Sequence, residues 1–176
     1  MAYYFLISQL PSLRYGQTAP FSPVEFRSLC QTALSASDAK LLNLCSLDPD
    51  PALTVQCKFI EQWCSWERAV RLNVARYRAS KLKRDSAIDA PEYPASAVAA
   101  AKTAVAFDSP LDAEIFLDEV RWKTIEDLQG LDYFSVNVVY AYLLKLLLME
   151  RRSLFVTEEG FAEYKKLYDT VMSKNS

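Results

Sequence analysis

The sequence contains no histidine, and only three of its 176 residues are glycine. Without histidine the chain lacks the commonest general base and the commonest metal ligand, and it cannot form a Ser-His or Cys-His catalytic pair. Loops that cradle phosphates and folds rich in β-strands normally use more glycine than this. We therefore expect a helical protein that is not an enzyme and that needs no cofactor or metal ion.

The four cysteines do not form a metal-binding or redox pattern. Cys30, Cys45, Cys57 and Cys64 contain no C-x-x-C pair, and no histidine is present to complete a zinc site. The first residues, MAYYFLISQLPSL, lack the basic leader and the small-residue cleavage site of a signal peptide. The sequence therefore predicts buried, reduced thiols in a cytoplasmic protein.

An apolar segment near the C-terminus is too short to cross a membrane. It runs for 14 residues from Val136 to Met149 and is interrupted by Asn137 and Lys145, whereas a membrane span needs about 20 residues. We expect a central core helix at about 135–152 and no membrane span. Because a buried polar group needs a partner, Lys145 either extends to the helix edge or meets an acid on another subunit.

Helix signals occur throughout the chain and predict an all-α fold of six to eight helices. They include the capping box Ser22-Pro23-Val24-Glu25, which opens a helix predicted to bury Val24, Phe26, Leu29, Cys30 and Leu34. A long amphipathic helix is predicted from about Leu53 to Arg84. Further helices are predicted at 3–10 (a buried helix, with a strand as the alternative), from Ser35 or Ser37 to 47, at 94–107, at 109–130 and at 157–171.

The same signals predict one domain that covers residues 1–176. A proline-containing linker at 85–94 marks a possible subdivision into 1–84 and 95–176.

A basic stretch is the strongest charge signal in a chain whose net charge is −2. Its seven cations, with no acid among them, are Arg68, Arg71, Arg76, Arg78, Lys81, Lys83 and Arg84. They either pair with the seven acids between Asp108 and Leu128, if the two helices pack antiparallel, or bind an acidic protein or membrane surface together with Lys145. The overall charge and the scattered aromatic residues do not favour binding of nucleic acid.

Three segments resemble a bacterial family of unknown function whose members are encoded beside the subunits of V-type ATPases. The segments are AYYFLISQLPSL, RLNVARYRASKLKRD and VVYAYLLKLLLMERRSLFVTEEGFAEYKKLYDTV. The last of them is also similar to the end of the central-stalk subunit called C or d, where a helix of the form AYLLxKxxE precedes a final helix. Here Ala141 to Lys145 is followed by Glu150, so the spacing between lysine and acid departs from that form.

The resemblance implies an accessory role in a V-type ATPase. The stalk subunit is an all-helical funnel that couples the membrane rotor to the rotating shaft, and it is longer than this chain. A shortened relative would help to couple rotor and shaft or to assemble the complex, bound to other subunits at the inner membrane face. A stand-alone adaptor that binds an acidic protein or membrane surface is the alternative.

Overall fold

Seven α-helices and no strand form the part of the chain that this computed structural model describes, residues 3–84 and 88–155. The predicted all-α class of six to eight helices is confirmed, and the helix predicted at 157–171 lies outside the described residues. The helices are α1 (Tyr4–Gln9), α2 (Pro23–Ala33), α3 (Ala36–Leu44), α4 (Lys58–Lys81), α5 (Ala95–Ala106), α6 (Pro110–Gln129) and α7 (Val136–Ser153).

Local capping groups explain where several helices begin. The Ser22 hydroxyl accepts a hydrogen bond from the Glu25 N–H at 3.2 Å, and the Glu25 carboxylate accepts one from the Ser22 N–H at 2.7 Å. This backbone hydrogen bond lowers the pKa of Glu25. The predicted capping box at Ser22 is therefore confirmed. The Ser35 and Ser109 hydroxyls each accept a hydrogen bond from the backbone N–H three residues later, so Ser35, rather than Ser37, opens α3.

The segment between α3 and α4 is longer than the sequence predicts. Helix α3 ends at Leu44 and α4 begins at Lys58, whereas the prediction extended these helices to 47 and back to 53. The intervening backbone bonds to side chains of α4 instead of continuing either helix. The Trp63 Nε1–H donates to the Ser46 carbonyl at 2.8 Å, and an Arg71 N–H donates to the Leu47 carbonyl at 2.6 Å.

The three long helices α4, α6 and α7 run alongside one another in alternating directions. The middle of α4 meets the middle of α6 through Glu67 and Arg121. The end of α4 and the start of α6 share one groove, and the start of α4 and the end of α6 share another. Helices α4 and α6 are therefore antiparallel. Helix α5 runs parallel to α4, while α7 runs antiparallel to α6.

Helix α7 lies at the centre of the hydrophobic core. Its Tyr140 ring lies 6.0 Å from that of Phe59 on α4, and its Tyr142 ring lies 4.9 Å from that of Phe26 on α2. The predicted central apolar helix is therefore confirmed. Among the described residues, no helix is long and apolar enough to cross a membrane. The buried residues of α7 are Val139, Tyr140, Ala141, Tyr142, Leu143, Leu144, Leu146, Leu148 and Met149.

Several apolar residues predicted to be buried are exposed. In α1 the side chains of Tyr4 and Phe5 face solvent, although Leu6 is buried, so the prediction of a buried helix at 3–10 is only partly correct. In α2 the exposed residues are Val24 and Leu29. A narrower face of α2 enters the core than predicted, with Phe26 and Cys30 one turn apart upon it.

Candidate functional site

Most cations of the basic stretch lie on exposed faces of α4 or just beyond its end. We use the name basic surface for Arg68, Arg71, Arg76, Arg78, Lys81, Lys83 and Arg84. Within the ranges 3–84 and 88–155, Arg71 is the only one of these residues that forms a salt bridge. Arg68 donates to the Pro51 carbonyl, and Lys81 donates to that of Val105 at 3.2 Å. Most of the positive charge on the basic surface is therefore not neutralised by a nearby described acid.

The predicted pairing of the basic stretch with the acids of α6 is not what the structure shows. No salt bridge joins the two sets, although residues 68–84 and 108–128 are all described. Arg71 instead binds Glu67 at 2.9 Å and Asp48 at 2.5 Å, and so holds the 46–51 turn against α4. The ion pair between α4 and α6 has the opposite polarity, with the acid on α4 and the arginine on α6.

A buried ion network joins α4, α6 and α7. We use this name for Glu67, Glu114, Asp118, Arg121 and Arg151. Two oxygens of Glu67 accept bonds from the Arg121 guanidinium, each at 3.0 Å, and Asp118 accepts another at 2.9 Å. Arg151 reaches Glu114 at 2.6 Å and Asp118 at 3.5 Å. The network therefore ties α4, α6 and α7 together, with three buried members and with Glu114 and Arg151 half-buried.

The network contains three acids and two arginines, and Arg71, which also pairs with Asp48, adds a third arginine at Glu67. Burial opposes the charge on Arg121, but the adjacent carboxylates of Glu67 and Asp118 outweigh burial and raise the pKa of its guanidinium. Burial raises the pKa of Asp118, against the opposing effect of Arg151 and Arg121. One oxygen of Asp118, Oδ2, has no hydrogen-bond partner among the described residues. The ion pairs of the network therefore act as a structural clamp between α4, α6 and α7.

Sequence reasoning did not identify this network, although a local signal was present. Glu67 follows Trp63 by four residues and precedes Val70 by three, so it lies on the apolar face of α4. A charged residue on such a face must be paired when the helix is packed. The partner, Arg121, is 54 residues away in the chain, and the local sequence does not identify it.

An open groove adjoins the basic surface where α4, α5 and α6 meet. It has a volume of about 360 Å³ and is lined by Arg78, Lys81, Leu82, Ala104, Val105, Phe107, Asp108, Pro110 and Ala113. Leu82 is 63% exposed and Phe107 is 39% exposed, so large apolar side chains are accessible beside the cations. We call this the α4–α6 groove. Arg78 also lines a second groove, of about 490 Å³, which reaches the buried ion network.

The two polar residues of the central helix are only partly buried. The Lys145 ammonium lies 3.1 Å from a Glu126 carboxylate oxygen and 5.0 Å from the centroid of the Trp122 ring. The indole N–H of Trp122 donates to the same carboxylate oxygen at 2.9 Å. Lys145 therefore meets an acid of its own chain, and not the acid on another subunit that the sequence left open. Asn137 is half-buried in the first turn of α7.

The cysteines are free thiols. Cys30, Cys45 and Cys64 are buried, as predicted, while Cys57 is half-buried. Burial raises the pKa of Cys30 to about 12 and also raises the pKa of Cys45 and Cys64. These buried thiols are poor nucleophiles at neutral pH. Within the described ranges, no group of three or more histidine, cysteine, aspartate or glutamate residues is arranged to hold a metal ion.

Comparison with known proteins gives one match, which covers the C-terminal part of the chain. No curated protein and no solved structure matches the sequence. The matched region includes the end of α5 and the whole of α6 and α7, and therefore every member of the buried ion network except Glu67. Residues 103–175 match the family model described as Protein of unknown function (DUF2764), in agreement with the predicted resemblance to a family of unknown function.

Proposed function

We propose that this chain is a non-enzymatic helical adaptor that binds an acidic partner through the basic surface. The observation that supports the proposal is the accumulation of Arg78, Lys81, Lys83 and Arg84 at the end of α4. Within residues 3–84 and 88–155, none of these four forms a salt bridge. Like charges gathered in one place repel one another, and an acidic partner relieves that repulsion.

Arg71 and Lys145 contribute less to the proposed docking surface than the cations at the end of α4. Each of them already meets acids of its own chain. A partner carboxylate would have to displace Asp48 from Arg71, or Glu126 from Lys145. The docking surface is therefore centred on Arg78 and Lys81, with Lys83 and Arg84 next to them in the chain.

The partner that we propose is a V-type ATPase, in which the chain acts as an accessory or central-stalk-like subunit. The support is the resemblance of the N-terminal segment, the basic stretch and the central helix to a family encoded beside V-type ATPase subunits. In this role the chain helps to couple rotor and shaft or to assemble the complex. It is cytoplasmic and lies peripherally at the inner membrane face, where it supports ion transport without a membrane span of its own.

Affinity purification from the native host tests this proposal. Three tagged forms are compared: the wild type, the variant Arg78→Glu/Lys81→Glu, and the control Lys40→Glu/Lys123→Glu. Lys40 and Lys123 are exposed on α3 and α6, so the control has the same change in net charge. We expect V-type ATPase subunits with the wild type and the control, and at least about a tenfold loss with the first variant. Equal recovery with all three forms would contradict docking through the basic surface.

Recovery of no ATPase subunit with any form would contradict the V-type ATPase as the partner. Sedimentation with anionic lipid vesicles separates this result from membrane binding. If the wild type binds vesicles in a salt-sensitive manner while no protein partner is recovered, the stand-alone adaptor on a membrane surface replaces the ATPase proposal.

A further inference from the structure

We propose that the α4–α6 groove receives a large apolar side chain from an acidic segment of the partner protein. This inference rests on the proposed function, because it specifies the chemistry of the partner at the same surface. The partner segment must be acidic and must also carry an apolar anchor residue with carboxylates close to it. A purely electrostatic contact would not need the groove.

The shape of the groove supports an anchored side chain. Its floor consists of Ala104 and Ala113, which are buried and short. Leu82 and Phe107 border it, and the Phe107 ring packs on that of Phe116 with centroids 5.5 Å apart. This packing holds one border of the groove in place without a partner. A volume of about 360 Å³ lies at the lower end of the range for ligand pockets, which suits a few side chains.

The charged side chains beside the groove determine which residues of the partner should flank its apolar anchor residue. Arg78 and Lys81 both line the groove, and Lys83 and Arg84 follow directly in the chain. Asp108 is the acid that lines the same groove, so the cations outnumber it. An acidic helix that presents apolar residues on one face matches this arrangement, as in other helix-in-groove complexes.

A protein segment fits the groove better than a membrane surface does. Peripheral membrane binding needs a continuous row of projecting apolar side chains beside the cations. Here the apolar residues surround a depression. At the end of α4, the most exposed large apolar side chain is that of Leu82. A single projecting leucine gives little insertion into lipid, whereas a depression accepts a side chain from outside.

The test uses synthetic peptides and the full-length chain. The first peptide consists of glutamate and leucine, with the leucines at helical spacing. The second has the same length and charge, with every leucine replaced by glutamine. Binding is measured by fluorescence anisotropy to the wild type, to Leu82→Gln and to the control Leu131→Gln. Leu131 is 87% exposed in the loop between α6 and α7, so the control removes an equally apolar side chain elsewhere.

We expect the wild type and the control to bind the leucine peptide about tenfold more tightly than the glutamine peptide. Leu82→Gln should lose most of this preference and keep its circular dichroism spectrum. Equal affinity for both peptides, or an unchanged preference in Leu82→Gln, would overturn the inference. The proposed docking through the basic surface is tested separately, by the affinity purification with Arg78→Glu/Lys81→Glu. Tighter binding to anionic vesicles than to the leucine peptide would also overturn the inference.

Discussion

Replacing Glu67 with glutamine should destabilise the protein more than the loss of any exposed acid. Glu67 is fully buried, and its two oxygens accept hydrogen bonds from Arg121 and Arg71 at 2.9 to 3.0 Å. Glutamine keeps the shape of the side chain but removes its charge, and it turns an NH₂ group toward arginine donors. The Arg121 guanidinium then stays buried with a weaker counter-charge, supplied by Asp118.

Breaking a buried ion pair in this way costs about 3–5 kcal/mol. A domain of this size has a free energy of unfolding of about 5–15 kcal/mol, so the loss is a large share of the total. At about 2–4 °C per kcal/mol, the melting temperature should fall by about 6–20 °C. Urea unfolding followed by circular dichroism measures the free energy, and calorimetry measures the melting temperature.

Glu119→Gln is the matched control, because Glu119 is exposed on α6 and loses the same charge. Its free energy of unfolding should change by less than about 0.5 kcal/mol. A double variant, Glu67→Leu/Arg121→Met, removes both charges and should be less destabilised than the sum of its single variants. If Glu67→Gln and Glu119→Gln have the same stability, the buried ion network does not hold the three helices together.

Three further predictions concern single side chains. Burial raises the pKa of Asp118 in the folded state. The wild type should therefore lose stability relative to Asp118→Asn as pH rises from the pKa of Asp118 in the unfolded chain through its pKa in the folded protein. Urea unfolding at several pH values measures this difference, and a gain in the relative stability of the wild type would contradict the prediction. Lys145→Met should cost about 1 kcal/mol through its contacts with Glu126 and Trp122 and should leave partner binding unchanged in the affinity purification. A thiol reagent should label Cys57 first in the native protein and should label Cys30 and Cys45 only on unfolding. Mass spectrometry measures the order of labelling, and early labelling of Cys30 would contradict its burial.

Helix existence and several helix starts were predictable because their signals are local. Ser22 and Glu25 form their capping box within four residues, and Gly130 follows α6 with the positive φ that glycine adopts readily. The central helix was predictable because its apolar run is too long to remain unburied. The start of α4 was not predictable, since the Ser46 and Leu47 carbonyls bond to side chains of α4 that lie 17 and 24 residues away.

The candidate site was predictable in part. The positions of Arg68 to Lys81 on one helix follow from the sequence, whereas Lys83 and Arg84 lie beyond the end of α4 and not on the helix as predicted. The partners of these cations do not follow from the sequence. Arg71 turns toward the 46–51 segment, and Lys145 turns toward Glu126, because the packing of the helices brings these acids within reach. The α4–α6 groove was also missed, since it forms only where the ends of α4 and α5 meet the start of α6. No periodicity along one helix encodes such a junction.

Site-specific photo-crosslinking in the native host tests whether an acidic partner docks at the α4–α6 groove. A photoreactive amino acid is placed at position 82, beside the α4–α6 groove, and in a second strain at position 131 as the control. We expect position 82 to crosslink to an acidic segment of a V-type ATPase subunit and position 131 to give no crosslink. The crosslink from position 82 should disappear in the background Arg78→Glu/Lys81→Glu. Crosslinking to that subunit from position 131 but not from position 82 would contradict the account.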